Sequence, residues 1–241
     1  MERIWTKADI IAQLQTITEK GFIPVQPEMF RNDDGIVGQV LEREFGVPEN
    51  NLHLADLGNF ELKGMRLKKG KSNKMTLFHQ APSSGLSPIQ IFERFCYTKP
   101  SQRSGEMKRK LFTTIKGNRK NNMGLILRAA NERTIDLYYH DERICTWDLT
   151  TGKAKINQVI LVLAETQGKA NSKDEQFHFV KAYLLRDPKD ISDAISTGAV
   201  VLEFCIDQPV DKSKAPHDRG PHIRIPLKKL NVLFGTVEQI L

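Results

Sequence analysis

The longest unbroken apolar run in this chain, VILVLA at 159–164, is six residues long. A helix that crosses a bilayer needs roughly 20 such residues, so no segment of that kind is present. A run this short instead suits a central β-strand covered on both faces. With 241 residues, 39% hydrophobic and 27% charged, the chain has apolar material for one or two cores, which excludes disordered, collagen-like and disulfide-scaffold architectures. The opening stretch MERIWTKADIIAQLQ mixes charges among its apolar residues, unlike a signal peptide, so export is not expected. Cys96, Cys145 and Cys205 are widely spaced and lie outside any C-x-x-C. They predict buried thiols in a reducing, cytoplasmic setting rather than a disulfide framework or a zinc knuckle.

Other elements arrange themselves around that strand. Thr6-Lys7-Ala8-Asp9 forms a variant capping box, and Ile10, Ile11, Leu14 and Ile17 recur at helical spacing, predicting a helix to about Lys20 with Gly21 as its stop. A second helix is expected after Asn32-Asp33-Asp34-Gly35, ending near Gly46, with Ile36, Val37, Val40, Leu41 and Phe45 on one side and Glu42 beside that face. Residues 48–51 read as loop. Gly58-Asn59 reads as a turn feeding a strand, Phe60-Glu61-Leu62-Lys63, with 75–79 as its partner. Ser87-Pro88 starts a helix, and Asp187-Pro188 and Pro226 each open another. Further strands are expected at 111–115, 123–129, 134–140, 143–147, 177–185, 199–206 and 222–225. The elements mix without a strict β-α-β rhythm and without a linker, predicting an α/β or α+β fold with a mixed sheet.

Charge is distributed unevenly. Residues 62–120 hold 15 Lys+Arg against Glu93 and Glu106, a net of +13, while the whole chain carries +7. A compact basic surface suits a polyanion, because neutralising phosphates releases condensed counterions, so nucleic acid is the leading partner. The alternative is a solvated basic face. Lys68, Lys69, Lys71, Arg103, Lys108, Arg109, Lys110, Lys116, Arg119 and Lys120 are the candidate phosphate contacts, which would position a duplex without specifying it.

The sharpest chemical feature is Asp56, four residues, then Glu61-Leu62-Lys63. On a strand Glu61 and Lys63 share one face and Phe60 and Leu62 the other. The Gly58-Asn59 turn folds Asp56 back toward the polar face, so two carboxylates converge beside an ammonium group. Carboxylate oxygens, with the Leu62 carbonyl as a further ligand, suit Mg²⁺ and in-line attack on phosphorus. Spacing alone is weak, since such a pattern arises by chance about 0.3 times in a chain of this composition. Its position at the head of the basic segment, after a helix bearing Glu42, strengthens it.

Several stretches in one order resemble the MvaI/BcnI restriction endonucleases, on the MutH-like branch of the PD-(D/E)xK nucleases. They are Gly35-Ile36-Val37-Gly38-Gln39-Val40-Leu41-Glu42, Asp56, Glu61-Leu62-Lys63-Gly64-Met65-Arg66, Leu77-Phe78-His79, Phe112-Thr113-Thr114-Ile115-Lys116-Gly117, Glu175-Gln176-Phe177-His178-Phe179 and Pro216-His217-Asp218-Arg219-Gly220-Pro221-His222-Ile223-Arg224-Ile225. The resemblance implies a PD-(D/E)xK nuclease fold, a mixed central sheet flanked by helices, with two lobes around a DNA-binding cleft. It implies a single nuclease domain over 1–241, with a catalytic lobe at roughly 1–120 completed by later strands and a recognition lobe including roughly 205–225. Asp56 and Glu61 fall on the family's metal-binding carboxylates, Lys63 on its catalytic lysine and Glu42 on a supporting helix glutamate. Ala55 replaces the proline that names the superfamily motif, a residue that supplies no ligand.

The implied activity is Mg²⁺-dependent hydrolysis of duplex DNA, with one or two ions, leaving 5′-phosphate and 3′-hydroxyl ends. A monomer nicking each strand in turn, a companion methyltransferase and no obligate protein partner are also implied, and closeness to the family's BcnI side implies a short, nearly palindromic, CCSGG-like site. His79 and His222 fall on histidines that approach the central base pair, where imidazole can donate or accept toward a base edge. His217-Asp218-Arg219-Gly220 makes a poor zinc site. Arg219 and Arg224 are better placed as bidentate readers of guanine, the alternative being pairs with local acids. The competing functions are a MutH-like repair nickase and a non-catalytic basic nucleic-acid-binding module.

Overall fold

The computed structural model describes residues 5–30, 33–47, 56–67, 73–102 and 104–241. Up to the basic segment the elements are α1 (Lys7–Glu19), β1 (Ile23–Pro24), α2 (Ile36–Glu44), β2 (Glu61–Arg66), β3 (Lys74–His79) and β4 (Ser84–Gly85). Next come α3 (Pro88–Phe95), β5 (Tyr97–Pro100), β6 (Met107–Ile115), β7 (Leu125–Ala129), β8 (Thr134–Tyr139), β9 (Glu142–Asp148) and α4 (Thr150–Ala154). The rest is β10 (Val159–Gln167), β11 (Gln176–Pro188), α5 (Ile191–Ser196), β12 (Val201–Pro209), β13 (His217–Asp218), β14 (His222–Pro226), α6 (Leu230–Leu233) and β15 (Phe234–Gln239).

The chain forms two compact units, one from Met1–Asn73, Lys155–Pro188 and Phe234–Leu241, the other from Lys74–Ala154 and Lys189–Leu233. The first unit holds a mixed sheet in the order β1-β11-β10-β2, with β15 also on β11. The apolar run on β10 occupies its interior as expected, every residue of it buried, antiparallel to β11 and parallel to β2. Thr6 and Asp9 close the expected capping box on α1, and Gly21 follows it at φ +69°. Ile10, Leu14 and Ile17 of α1 and Ile36, Val37, Val40 and Leu41 of α2 pack with Leu62, Ile160, Val162 and Ala164 into one core.

Two glycines let α2 approach β2. A Cβ on Gly64 would stand 2.9 Å from the Val37 carbonyl oxygen and 3.0 Å from the Gly38 Cα. Gly64→Ala therefore forces helix and strand apart and is expected to cost about 1–3 kcal/mol of stability by overpacking, read as a lower urea midpoint. An unchanged midpoint would mean that the helix shifts freely.

Two local expectations are corrected. Residues 75–79 do not pair with the Glu61 strand: β3 pairs with β14 in the second unit, and β2 takes β10. Adjacency in sequence suggested a hairpin, but the buried β10 run needs neighbours on both edges. Asp187-Pro188 ends β11 instead of opening a helix, with Asp187 at φ +56° accepting from Thr236 (2.6 Å). Asp190 is the actual cap of α5. Pro226 precedes a 3-10 turn and then α6.

In the second unit one sheet runs β3-β14-β12-β6-β5, with β13 on β12, and another runs β4-β9-β8-β7. Leu111, Ile115, Leu202, Phe204, Ile206 and Ile223 are buried on one face of the former. The alternate positions form its polar face.

Candidate active site and base-reading face

The Gly58-Asn59 turn closes with the Leu57 amide donating to the Phe60 carbonyl (3.0 Å) and Gly58 at φ +72°. Leu57 and Leu62 are in the core and Phe60 packs on it. The Glu61 amide donates inward, to Gln158 (2.9 Å). In a parallel ladder alternate residues face alternate edges, so the Leu62 amide and carbonyl both face the open edge of β2. Asp56 is held on that edge, its Oδ2 accepting from the Leu62 amide at 2.8 Å. Glu61 and Lys63 lie on the sheet face opposite Leu62, with Lys63 Nζ donating to Glu61 Oε1 (2.8 Å), both half-buried.

Burial is the main influence on Asp56 and raises its carboxyl above the ordinary value. The Leu62 amide offsets this, Glu61 adds to it, and Lys63 and Lys155 pull down. Asp56, Glu61, Leu62 and Lys63 are thus assembled, with Lys155 as a second cation that no local sequence signal announced, since it joins from a distant segment. Glu42 turns its Oε1 toward Gly38, 3.8 Å from where a Cβ there would stand, and so lies at the α2–β2 contact. No group of three His, Cys, Asp or Glu side chains able to hold a metal is found among the described residues.

On the polar face of the second unit, pairing sets Thr114, Glu203, His222 and His79 in one row across β6, β12, β14 and β3. The two imidazoles lie with centroids 4.3 Å apart. Burial first and Arg224 next push His222 below its usual value of 6.5, with Glu203 and Asp218 opposing, and its buried Nδ1 has no hydrogen-bond partner among the described residues. Glu203 was not among the sequence candidates, although the alternation of Leu202, Phe204 and Ile206 with Glu203, Cys205 and Asp207 marks its face. Its carboxylate accepts from Lys74, from the Thr114 hydroxyl (2.7 Å) and from Arg224 Nη1 (2.8 Å). Burial opposes its charge, and these donors still hold its pKa below the ordinary value.

The arginines adopt the alternative arrangement: Arg224 pairs with Glu203, and Arg219 with Asp207 (3.1 Å). His217 is exposed opposite Asp207 on the short β13. Asp218 Oδ1 accepts the Gly220 amide (2.8 Å), shaping the loop that leads to His222. Arg109 is gripped by Glu93 of α3 (3.0 and 2.5 Å), and Lys110 is buried, donating to the Pro100 carbonyl (2.9 Å). Lys68, Lys69, Lys71, Arg103 and Ala55 lie outside the described residues. His178 has the structural role expected of a lone histidine, its Nε2 3.2 Å from the Thr18 carbonyl oxygen.

Comparison with known proteins gives a consistent picture. The model of the MvaI/BcnI restriction endonuclease family matches residues 11–234. No curated protein matches the chain. Among solved structures, "Restriction endonuclease MvaI-cognate DNA substrate complex" is similar at 17% identity and TM-score 0.72, covering 98% of this chain and all of that one. "Restriction endonuclease MvaI in the absence of DNA" matches at 16% identity and TM-score 0.48 over the full length of both. The similarity to the DNA complex, at TM-score 0.72, shows that the chain shares the fold of that nuclease.

Proposed function

The chain belongs to the MvaI/BcnI restriction endonuclease family of site-specific DNA nucleases, and on that premise we propose that Asp56, Glu61 and Lys63 cut duplex DNA at a short, nearly palindromic, G·C-rich site, CCSGG-like, with Mg²⁺. We further propose a monomer that nicks the two strands in turn, with Glu42 as supporting acid and a companion methyltransferase that protects the same site. The observation that carries this reading is the carboxylate of Asp56 seated on the open edge of β2, where the Leu62 carbonyl also points.

The donor set suits a hard cation that retains waters: two carboxylates, one backbone oxygen and no nitrogen or sulfur ligand. Asp56, already raised by burial and by Glu61, is a carboxylate that a cation would relieve. Magnesium held by Asp56, Glu61 and the Leu62 carbonyl would offset charge on the scissile phosphate and make water acidic enough to attack it. Lys63, fixed by Glu61, presents its ammonium protons to the attacking water or to a phosphate oxygen, stabilising charge as it develops. Lys155 adds a second positive group beside Asp56.

Supercoiled plasmid incubated with the purified protein and Mg²⁺ should give nicked circles first, then linear DNA whose sequenced ends define one site and carry 5′-phosphates. A mobility shift without strand scission would refute the nuclease reading in favour of a binding module.

We assign base reading to the His79–His222 pair. Neutral imidazoles offer both a donor and an acceptor, and the depression of His222 keeps it neutral at physiological pH. His222→Ala is expected to reduce discrimination at the central base pair by about 10- to 100-fold, the worth of a good base contact, measured as the ratio of cleavage rates on substrates differing only at that pair. A uniform loss on every site would count against base reading. Acidification acts in one direction: the unfolded chain protonates this histidine at higher pH than the folded one, so its contribution to stability falls as pH drops below about 6.5.

A further inference from the structure

Carboxylates hold many of the basic residues of the second unit. Lys108 meets Asp207 (3.0 Å), Arg109 meets Glu93, Arg94 meets Glu142 (2.5 Å), and Lys74 and Arg224 share Glu203. Lys116, Arg119 and Lys120 have no carboxylate at ion-pair distance among the described residues. They line one concavity of about 430 Å³ together with Thr114, Asn121 and Asn122.

Its walls are built. The Asn121 side chain donates to the Thr113 hydroxyl (3.0 Å) and accepts the amides of Met123 (2.9 Å) and Leu125 (3.0 Å). The Lys116 carbonyl accepts the Leu127 amide (3.0 Å). Gly117 lies so near the Ile195 carbonyl oxygen that a Cβ there would approach to 2.3 Å. The cations are therefore carried on a loop held at several points. Burial and then the positive charges of Arg119, Lys229 and Lys74 push the Lys116 ammonium below its ordinary pKa, with no acid among the influences. Like charges gathered without a counter-charge cost stability in the free protein, and an anion between them removes that cost.

We propose that this concavity is a phosphate site in which Lys116, Arg119 and Lys120 together take a single backbone phosphate of duplex DNA. The assignment rests on the nuclease reading above and adds a fixed anchor to it. A shared phosphate differs measurably from a solvated basic face. Each phosphate neutralised contributes about 0.9 to the slope of log K against log salt. If the cations share one, removing them together forfeits no more than one such increment.

The test is fluorescence anisotropy of a labelled duplex in EDTA over a series of salt concentrations. Lys116→Gln and Arg119→Gln should each lower the slope by no more than about 0.9, and the double variant by about 0.9 in total. A double-variant loss well above that amount, or no loss, would overturn the proposal. Inorganic phosphate, compared with chloride at matched ionic strength, separates the two sources of the anion: stabilisation of the wild type by phosphate with unchanged DNA slopes would assign the pocket to a small phosphate and overturn the DNA assignment. Lys116→Gln should melt no lower than the wild type, since it relieves repulsion, and a lower melting temperature would mark a purely structural lysine. Wild-type plasmid cleavage is measured alongside: cleavage with unchanged slopes sinks the pocket alone, whereas no duplex binding by the wild type sinks the nuclease reading.

Discussion

Asp56→Asn is expected to lower the rate of plasmid cleavage by about 10²–10³-fold or more, the usual loss when one preorganised electrostatic group is removed from a reaction centre, while duplex binding in EDTA stays near the wild-type level. Asparagine is the informative choice. Its amide oxygen can still accept the Leu62 amide hydrogen that Asp56 takes at 2.8 Å, so the turn and the strand edge persist and only the charge is lost. Lys63→Met should give a comparable loss, because it deletes the ammonium group hydrogen-bonded to Glu61 and leaves the aliphatic stem. The two effects should combine to less than their product, as for groups that act as a unit. Single-turnover cleavage within ten-fold of wild type in either variant would remove that residue from the chemistry.

Which parts of this centre were legible in the sequence follows from the range of the forces involved. Turn and strand are local: Gly58 supplies the left-handed φ, alternation puts Leu62 inward and Glu61 and Lys63 on the other face, and the Thr6–Asp9 box fixes where α1 begins. Each was readable within a few residues. Lys155 was not, because its place beside Asp56 comes from the chain returning to form β10 against β2. The mistaken partner for β2 has the same origin. On the polar face of the second unit, His79 and His222 were named together through the family resemblance, but the tilted contact of their rings depends on a β3–β14 register that no local pattern encodes. Glu203 went unnoticed because an acid in a strand normally faces water, and only the pairing of four strands shows it gathering Lys74, Thr114 and Arg224. The basic segment was legible as a net charge. Which of its cations are already paired is a tertiary fact.

Glu175→Ala is expected to destabilise the protein by about 3–5 kcal/mol, the cost of leaving a buried charge without its partner, seen as a large fall in the urea midpoint. Arg66 ends β2, and its guanidinium donates from Nε to Glu175 Oε1 (2.7 Å) and from Nη2 to Oε2 (2.8 Å). The pair is 8% and 1% exposed. Asp34 accepts from Nη1 (2.9 Å), Asn171 from Nη2 (2.9 Å), and the guanidinium lies over the Phe177 ring at 5.4 Å. Glu175 stands just before β11, so the pair ties the end of the strand bearing Glu61 and Lys63 to β11 across the intervening β10. Arg66→Met should cost a similar amount, since it strands the carboxylate instead. The double variant Arg66→Met, Glu175→Leu should recover much of the loss, because an apolar pair of similar volume avoids desolvating two ions. A single-variant effect below about 1 kcal/mol would place the pair in the surface class, where ion pairs contribute little. The fraction of Glu175→Ala still folded at low temperature should cut DNA, because Asp56 is seated through the Leu62 amide and not through this pair. Loss of cleavage by fully folded Glu175→Ala would mean instead that the ion pair sets the geometry of the active edge of β2.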